Sequence, residues 1–278
     1  MKFALATFPD RYILPGKPSG GPAAALDAYK QTQFLLGDDL RLFEQAMNLQ
    51  LAVVAANKKA RSTAAGALFT LWSRTYSHLS DACTLMCSGA YLSCSPLLRT
   101  ALDCIAVQRS LIAEGFAEYE EWAESAVRQA KAQQALAFEL GRYRAASVLV
   151  EDAGLSSTYR VLTNLSMPHF GSTALLVAPE TGLERMGISF ADSAFHLGWA
   201  ELTMRWLLLL VRTQLETLAD QSALPLGDGE SDAISRLRTR ITSALASSKR
   251  CRTEELDGRF LFHNFRRTAS GQPKRVLL

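Results

Sequence analysis

The sequence predicts an all-α protein, a bundle of six to eight helices with one small β-hairpin. Apolar residues recur at helical spacing through most of the chain, and only one stretch resembles a pair of short strands. The chain has 278 residues, of which 48% are hydrophobic, so it is long and apolar enough to bury a substantial core.

The two ends of the chain are predicted to differ from its middle. Residues 1–22 include the proline- and glycine-rich stretch PDRYILPGKPSGGP and are expected to form an extended lead-in. Helical spacing begins at residue 23 and resumes after the basic break NKKARS. We therefore expect a helical bundle domain over 23–222 and a C-terminal helix with a basic arm over 223–278.

Two further helices are predicted in the first half of the bundle. Ser95 and Pro96 are expected to begin a helix that runs to about Glu114, because serine caps helix N-termini and proline suits the first turn. Residues 116–150 carry acidic side chains early and basic ones late, which suits the helix dipole and predicts a longer outer helix.

The stretch TALLVAPETGLERMGISF predicts the hairpin, near 174–190, and we expect no other sheet. A long apolar helix is predicted over 192–219. Its large side chains lie near one stripe and offer more apolar surface than one neighbouring helix covers. This surplus predicts a homodimer, with complete burial inside a monomer as the alternative. The stripe consists of Phe195, Trp199, Leu202, Trp206 and Leu209.

Several functional classes lack their sequence signals. There is no signal peptide and no apolar run that would span a bilayer, so we expect a cytoplasmic protein without membrane contact. The five cysteines match no zinc motif and are expected to be reduced core thiols, with no metal site. No phosphate loop, nucleophile elbow or HExxH helix is present, and we expect no cofactor.

Positive charge collects at the C-terminal end. From Ile234 onward there are eleven Lys or Arg residues against three acidic ones. Such an arm binds nucleic acid, or docks on its own body or on another protein subunit. The stretch FLFHNFRR mixes aromatic and basic residues, which fits stacking on nucleic acid and equally an aromatic anchor. The candidate arm residues are Arg259, His263, Arg266, Arg267, Lys274 and Arg275.

The helix predicted after Ser95 carries an unexpected pair of charges. Between Leu97 and Val107 its only polar residues are Arg99, Thr100 and Asp103. Charges are costly to bury without a partner, so the pair is expected to contact another helix or to belong to a site. A buried ion pair that fixes the register of the helix is the alternative.

Two other stretches carry candidate polar side chains. RTYSHLSD puts Arg74, His78 and Asp81 on one helical face, which lines a polar groove or is simply solvated. In YRVLTNLSMPHFGS, Pro168 disturbs the helix and leaves His169 where the chain changes direction. We predict that His169 approaches Arg99 and Asp103.

The segments YLSCSPLLRTALD and YRVLTNLSMPHFGS together resemble uncharacterised bacterial all-α proteins allied to the HEPN superfamily (higher eukaryotes and prokaryotes nucleotide-binding). Those proteins carry an Arg-x-x-x-acid on one core helix and a Tyr, Ser and His on a later one. The resemblance spans roughly residues 64 to 215. It carries over to Arg99, Asp103, Tyr159, Ser166 and His169.

The resemblance implies two alternative functions. One is a HEPN-like binding module in a bacterial stress or phage-defence system, with a buried Arg/Asp/His network and a protein partner on its basic arm. The other is a metal-independent ribonuclease or nucleotide-acting toxin, in which Arg99 binds phosphate and His169 is the general acid or base. The Arg-to-His spacing of the superfamily's nucleases is missing here. Under either function, Tyr159, Ser166, Arg74 and His78 are candidate ligand-binding residues, and RNA or a nucleotide is a candidate ligand.

Overall fold

A computed structural model describes residues 3–125, 127–130, 135–138, 140, 149, 152–178, 181, 184–268 and 274–278. This part of the chain is mostly helical and contains eight α-helices, so the predicted all-α bundle is confirmed. The helices are α1 (Ala23–Ala56), α2 (Thr63–Cys87), α3 (Cys94–Ala113), α4 (Ala117–Ser125), α5 (Ala153–Ser166), α6 (Phe170–Val177), α7 (Leu197–Ala219) and α8 (Asp228–Leu245).

Two small antiparallel sheets accompany the helices. One is a hairpin of two four-residue strands that follows α4. The other has three strands and lies after α8, where the sequence predicted a basic arm. The strands are β1 (Val127–Ala130), β2 (Ala135–Phe138), β3 (Arg252–Leu256), β4 (Arg259–His263) and β5 (Arg275–Leu277).

The placement of the hairpin near 174–190 was wrong, and so was the expectation of a single sheet. Residues up to Val177 belong to α6, and the described residues from 178 to 192 contain no strand. A short apolar run fits a helix turn and a buried strand equally well, so periodicity did not decide between them.

Three helix boundaries also differ from those predicted. Helix α7 begins at Leu197 and not at residue 192. Helix α3 begins at Cys94 after a 3₁₀ turn, which places Ser95 inside the first turn and not at the cap. The predicted outer helix over 116–150 is interrupted, because α4 ends at Ser125 and β1 begins at Val127; much of the remaining stretch lies outside the described residues. Helix propensity is a weak preference that tertiary context overrides, and the charge pattern did not mark where the helix ends.

Helix α7 is the centre of the bundle. It packs against α1, α2, α3 and α8, and most of its 23 residues are buried. Most of the stripe that suggested a dimer is therefore covered within the chain: Trp199, Leu202 and Trp206 are buried, while Phe195 and Leu209 are half-buried. A buried amide pair joins α7 to α3, because Gln108 and Gln214 each donate to the other's side-chain oxygen at 3.0 Å.

Both ends of the chain pack onto the bundle. Residues 3–22 contain no helix or strand, yet Tyr12 is buried and its backbone N–H donates to Asn48 Oδ1 at 2.8 Å. At the other end, Phe260, Phe262 and Phe265 are buried in the main core beside Trp199. None of the helices in the described residues is long and apolar enough to cross a bilayer.

Candidate functional site

The charged pair on α3 lies at the surface of the bundle, half-buried. The guanidinium of Arg99 and the carboxylate of Asp103 approach to 3.8 Å, and their side chains are 29% and 15% exposed. This distance is at the long end for an ion pair, so the pair alone holds Arg99 only loosely. A third residue completes the arrangement.

That residue is Tyr159 on α5. Arg99 Nη2 donates a hydrogen bond to the Tyr159 hydroxyl at 3.0 Å, and the guanidinium carbon lies 5.4 Å from the centre of the tyrosine ring. The expected contact of the pair with another helix is thus present. Because α5 packs along α3, the three side chains join two neighbouring helices across their polar edge.

Among the described residues, no hydrogen bond or ion pair joins Ser166 or His169 to these three residues. Ser166 Oγ donates to the Leu162 carbonyl at 2.6 Å, within its own helix. His169 is exposed and occupies the N-cap position of α6 without a side-chain capping bond. Its backbone carbonyl accepts from Thr173 N at 2.9 Å. The predicted approach of His169 to Arg99 and Asp103 thus has no hydrogen bond or ion pair to support it in the described residues, and it stays a prediction.

Helix α2 carries the predicted polar face of Arg74, His78 and Asp81. The pKa of His78 is lowered, first by burial and then by the nearby charge of Arg74, with Asp81 acting in the opposite direction. These three side chains share one face, as the spacing predicted. Burial raises the pKa of Cys104, with Arg74 and Asp103 acting on it in opposite directions. The charges of Arg74 on α2 and Asp103 on α3 thus both act on the thiol of Cys104.

The basic arm is a folded sheet, and its aromatic residues face inward. In β4, Phe260 and Phe262 are buried, while the alternate residues Arg259, Leu261 and His263 face outward. The register aligns Arg252, His263 and Arg275 across the outer face. Base stacking needs exposed rings, so the aromatic residues of this arm act as an anchor.

The six candidate arm residues divide into two groups. Arg266 points inward to Glu201, and Arg267 donates to the Thr181 carbonyl. The remaining four lie on or beside the outer surface of the sheet, and one of them is paired: His263 lies 2.7 Å from Glu254. The exposed group consists of Arg259, Lys274 and Arg275.

The sequence did not single out the acidic residues that hold the arm. Glu201 of α7 accepts a hydrogen bond from the Cys251 backbone N–H at 2.9 Å and lies 3.5 Å from Arg266. Burial raises the pKa of this carboxyl group, and its two partners oppose the shift. The buried carboxylate of Asp39 in α1 pairs with Arg250. Nothing in the local sequence marks either acid, because each partner is distant in the chain.

Among the described residues, no three His, Cys, Asp or Glu side chains are arranged to bind a metal ion. All five cysteines are buried and free, as predicted. Comparison with models of protein families, with curated proteins and with solved structures found no match to this chain.

Proposed function

We propose that this chain is a non-catalytic, HEPN-like helical binding module of a bacterial stress or phage-defence system. The module works in the cytoplasm and recruits an acidic protein partner through its C-terminal sheet. One observation carries the proposal. The sheet buries its phenylalanines and presents arginine and leucine side chains outward, including Arg259, Arg275 and Leu256. A mixed basic and apolar face suits a protein partner, whereas single-stranded RNA needs exposed aromatic rings.

The ribonuclease alternative has less support from the geometry. A general acid or base must reach the reacting group, and it works beside the residue that binds the phosphate. Arg99 is held by Asp103 and Tyr159, while the exposed side chain of His169 has no hydrogen bond or ion pair with them in the described part of the chain. In the proposed module, the Arg99 network joins α3 to α5 and needs no substrate.

Homodimer formation stays a prediction of the proposal, but α7 no longer supplies the surface. Exposed apolar side chains lie elsewhere, including Phe170 on α6 and the nearby Ile188 and Phe190. Multi-angle light scattering at micromolar concentration measures the association state directly.

Removing residues 249–278 is not a usable test, because Cys251, Phe260 and Phe262 belong to the core. Charge reversal of the outer face is the alternative. In the double variant Arg259→Glu, Arg275→Glu, both altered side chains are exposed, so we expect the fold to be kept. The matched control is Lys58→Glu, Lys59→Glu, two exposed charges at the far end of α1.

The probes are peptides selected against the full chain from a displayed random library, and a labelled single-stranded RNA of random sequence. We expect acidic peptides that bind the wild type and the control, and that bind the outer-face variant about tenfold or more weakly, as loss of two charge contacts implies. The proposal is wrong if RNA binds instead, with a steep salt dependence that the outer-face variant removes. RNA cleavage by the wild type that Arg99→Met abolishes would establish the nuclease.

A further inference from the structure

A cavity of about 410 Å³ lies between helix α6 and strand β5. Its volume falls within the range of ligand pockets, roughly 300–1,000 Å³. The helix contributes Gly171, Ala174, Leu175 and Ala178, which are spaced to form one face. Three of these four residues are small, so the helix leaves room beside the strand.

The cavity runs along the edge of β5. It is lined by Val276, Leu277 and Leu278, three consecutive residues. Neighbouring residues of a strand point to opposite faces of the sheet, so a space that contacts all three reaches the edge of the strand.

Backbone groups on this edge point away from β4. Leu278 and Phe260 exchange both of their backbone hydrogen bonds at 2.9 Å, which makes them a hydrogen-bonded pair. In an antiparallel ladder such pairs alternate, so the N–H and C=O groups of Arg275 and Leu277 face outward. β5 is the last strand of the sheet, and within the described residues no strand pairs with this edge.

Helix α6 itself is far less buried than its sequence suggests. Its eight residues, FGSTALLV, contain no charge, yet only Ser172 is buried. Met186, which also lines the cavity, is 58% exposed. The groove formed by α6 and β5, the α6–β5 groove, is therefore apolar along one side and has hydrogen-bonding backbone along the other.

We propose that the α6–β5 groove binds an extended peptide segment of an acidic protein, which adds a strand to β5 and inserts alternate apolar side chains into the cavity. This is the β-augmentation mode of peptide recognition. The assignment of an acidic partner rests on the proposed function, whereas the groove geometry stands independently of it. The exposed side chains of Lys274, just before this strand, and Arg275, at its start, complement acidic residues in the peptide. A second copy of β5 would instead bring these positive charges together.

The test exploits the direction of the Leu277 N–H. Leu277→Pro removes that donor but no hydrogen bond to β4, and proline is tolerated on edge strands. Leu277→Ala keeps the donor and shortens the side chain, so it is the matched control. Ala174→Trp fills the cavity from the helix side. Circular dichroism and thermal melting establish that each variant is folded, and the two sites give independent tests.

The probes are peptides selected on the full-length wild type from a displayed random library, measured by fluorescence anisotropy. We expect binding to weaken by about tenfold in Leu277→Pro relative to Leu277→Ala, which is the contribution of one backbone hydrogen bond, and at least as much in Ala174→Trp. Hydrogen exchange on the wild type should show that the peptide protects the amides of Arg275 and Leu277.

Other outcomes separate the two proposals. Acidic peptides could lose affinity only in the outer-face variant Arg259→Glu, Arg275→Glu. That result supports the proposed function and contradicts binding in the α6–β5 groove. Some selected peptides could lack acidic residues and still lose affinity in Leu277→Pro and Ala174→Trp. That result supports the proposed groove and contradicts the proposed acidic partner. If no peptide is selected, or if RNA alone binds, both proposals are wrong. Peptide-independent dimers that Leu277→Pro dissolves would assign the groove to a second copy and overturn the peptide.

Discussion

Helices α6 and α7 are both apolar and lie in opposite environments. α7 is surrounded by other helices, with Trp206 only 3% exposed, whereas Phe170 at the start of α6 is 97% exposed. The apolar content of a helix determines how much of its surface favours burial. It does not determine whether that surface is buried by the same chain or by a partner. Of these two helices, α6 is therefore the one that exposes apolar surface, although the longer helix α7 has the stronger sequence signal.

The histidines at the start of the two helices show the same contrast. His196 caps α7: its Nδ1 accepts a hydrogen bond from Trp199 N at 3.2 Å, and the ring is buried. His169 occupies the same position before α6, but its side chain makes no capping bond and is exposed. The pair thus offers a matched comparison of one residue type in two settings.

The largest expected effect comes from opening the core around α7. Trp206→Ala removes a buried indole and should lower the free energy of unfolding by about 3–5 kcal/mol. Phe170→Ala removes an exposed ring, and we expect a change within about 0.5 kcal/mol. Urea denaturation of the three proteins measures both values. Equal losses would show that α6 is packed in solution and would break the contrast.

The sequence predicted the burial of α7 only as an alternative to a dimer. Its stripe shows an apolar helix, but whether neighbours cover that stripe depends on contacts distant in the chain. The Arg99 and Asp103 pair was predictable for a different reason: two charges on an apolar helix need partners wherever the helix lies. Glu201 and Asp39 gave no such signal, and the α6–β5 groove depends on a strand that the sequence analysis did not predict.

The second effect is a loss of stability in acid through His196. Burial, followed by the charge of Arg267, lowers the pKa of this histidine to about 4, with Asp192 opposing the shift. The unfolded chain binds the proton at about pH 6.5. The folded state is therefore fully stable above pH 6.5 and loses roughly 1.4 kcal/mol per pH unit as the pH falls toward 4.

Urea denaturation at pH 7.5 and pH 4.5 measures this loss, roughly 2–3 kcal/mol in the wild type. His196→Asn keeps an acceptor at the N-cap and has no group that titrates in this range. Glu201, whose raised pKa acts in the opposite direction, is present in both proteins and cancels in the comparison. If the variant loses as much stability in acid as the wild type, His196 is not the group responsible.

A smaller effect is expected at the half-buried network of Arg99, Asp103 and Tyr159. Tyr159→Phe removes the hydroxyl that accepts from Arg99 and keeps the ring beside the guanidinium. We expect a loss of about 0.5–1.5 kcal/mol, the net contribution of one hydrogen bond. Tyr159→Leu removes the ring as well and should cost more. A change of zero in the first variant would mean that water replaces the hydroxyl and that the network does not join α3 to α5.

The smallest effect is expected at His169, and it tests whether this histidine has any chemical role. Pro168 has no backbone N–H, and the chain leaves α5 before it, so the turn does not depend on the imidazole. The His169 backbone, in contrast, accepts hydrogen bonds from Thr173 N and Ser172 Oγ to start α6. His169→Gln keeps that backbone and should change the free energy of unfolding by less than about 0.5 kcal/mol.

Ser172→Ala is the positive control, because it removes the hydroxyl that donates to the Met167 and His169 carbonyls, at 3.2 Å in each case. We expect it to cost about 0.5–1.5 kcal/mol. If His169→Gln instead costs more than Ser172→Ala, the imidazole has a partner in solution. If the wild type cleaves RNA and His169→Gln does not, the histidine is catalytic and the exposed position holds a reactive group. If His169→Gln changes neither stability nor RNA cleavage, His169 only connects two helices, and its backbone carbonyl supplies the hydrogen bonds that start α6.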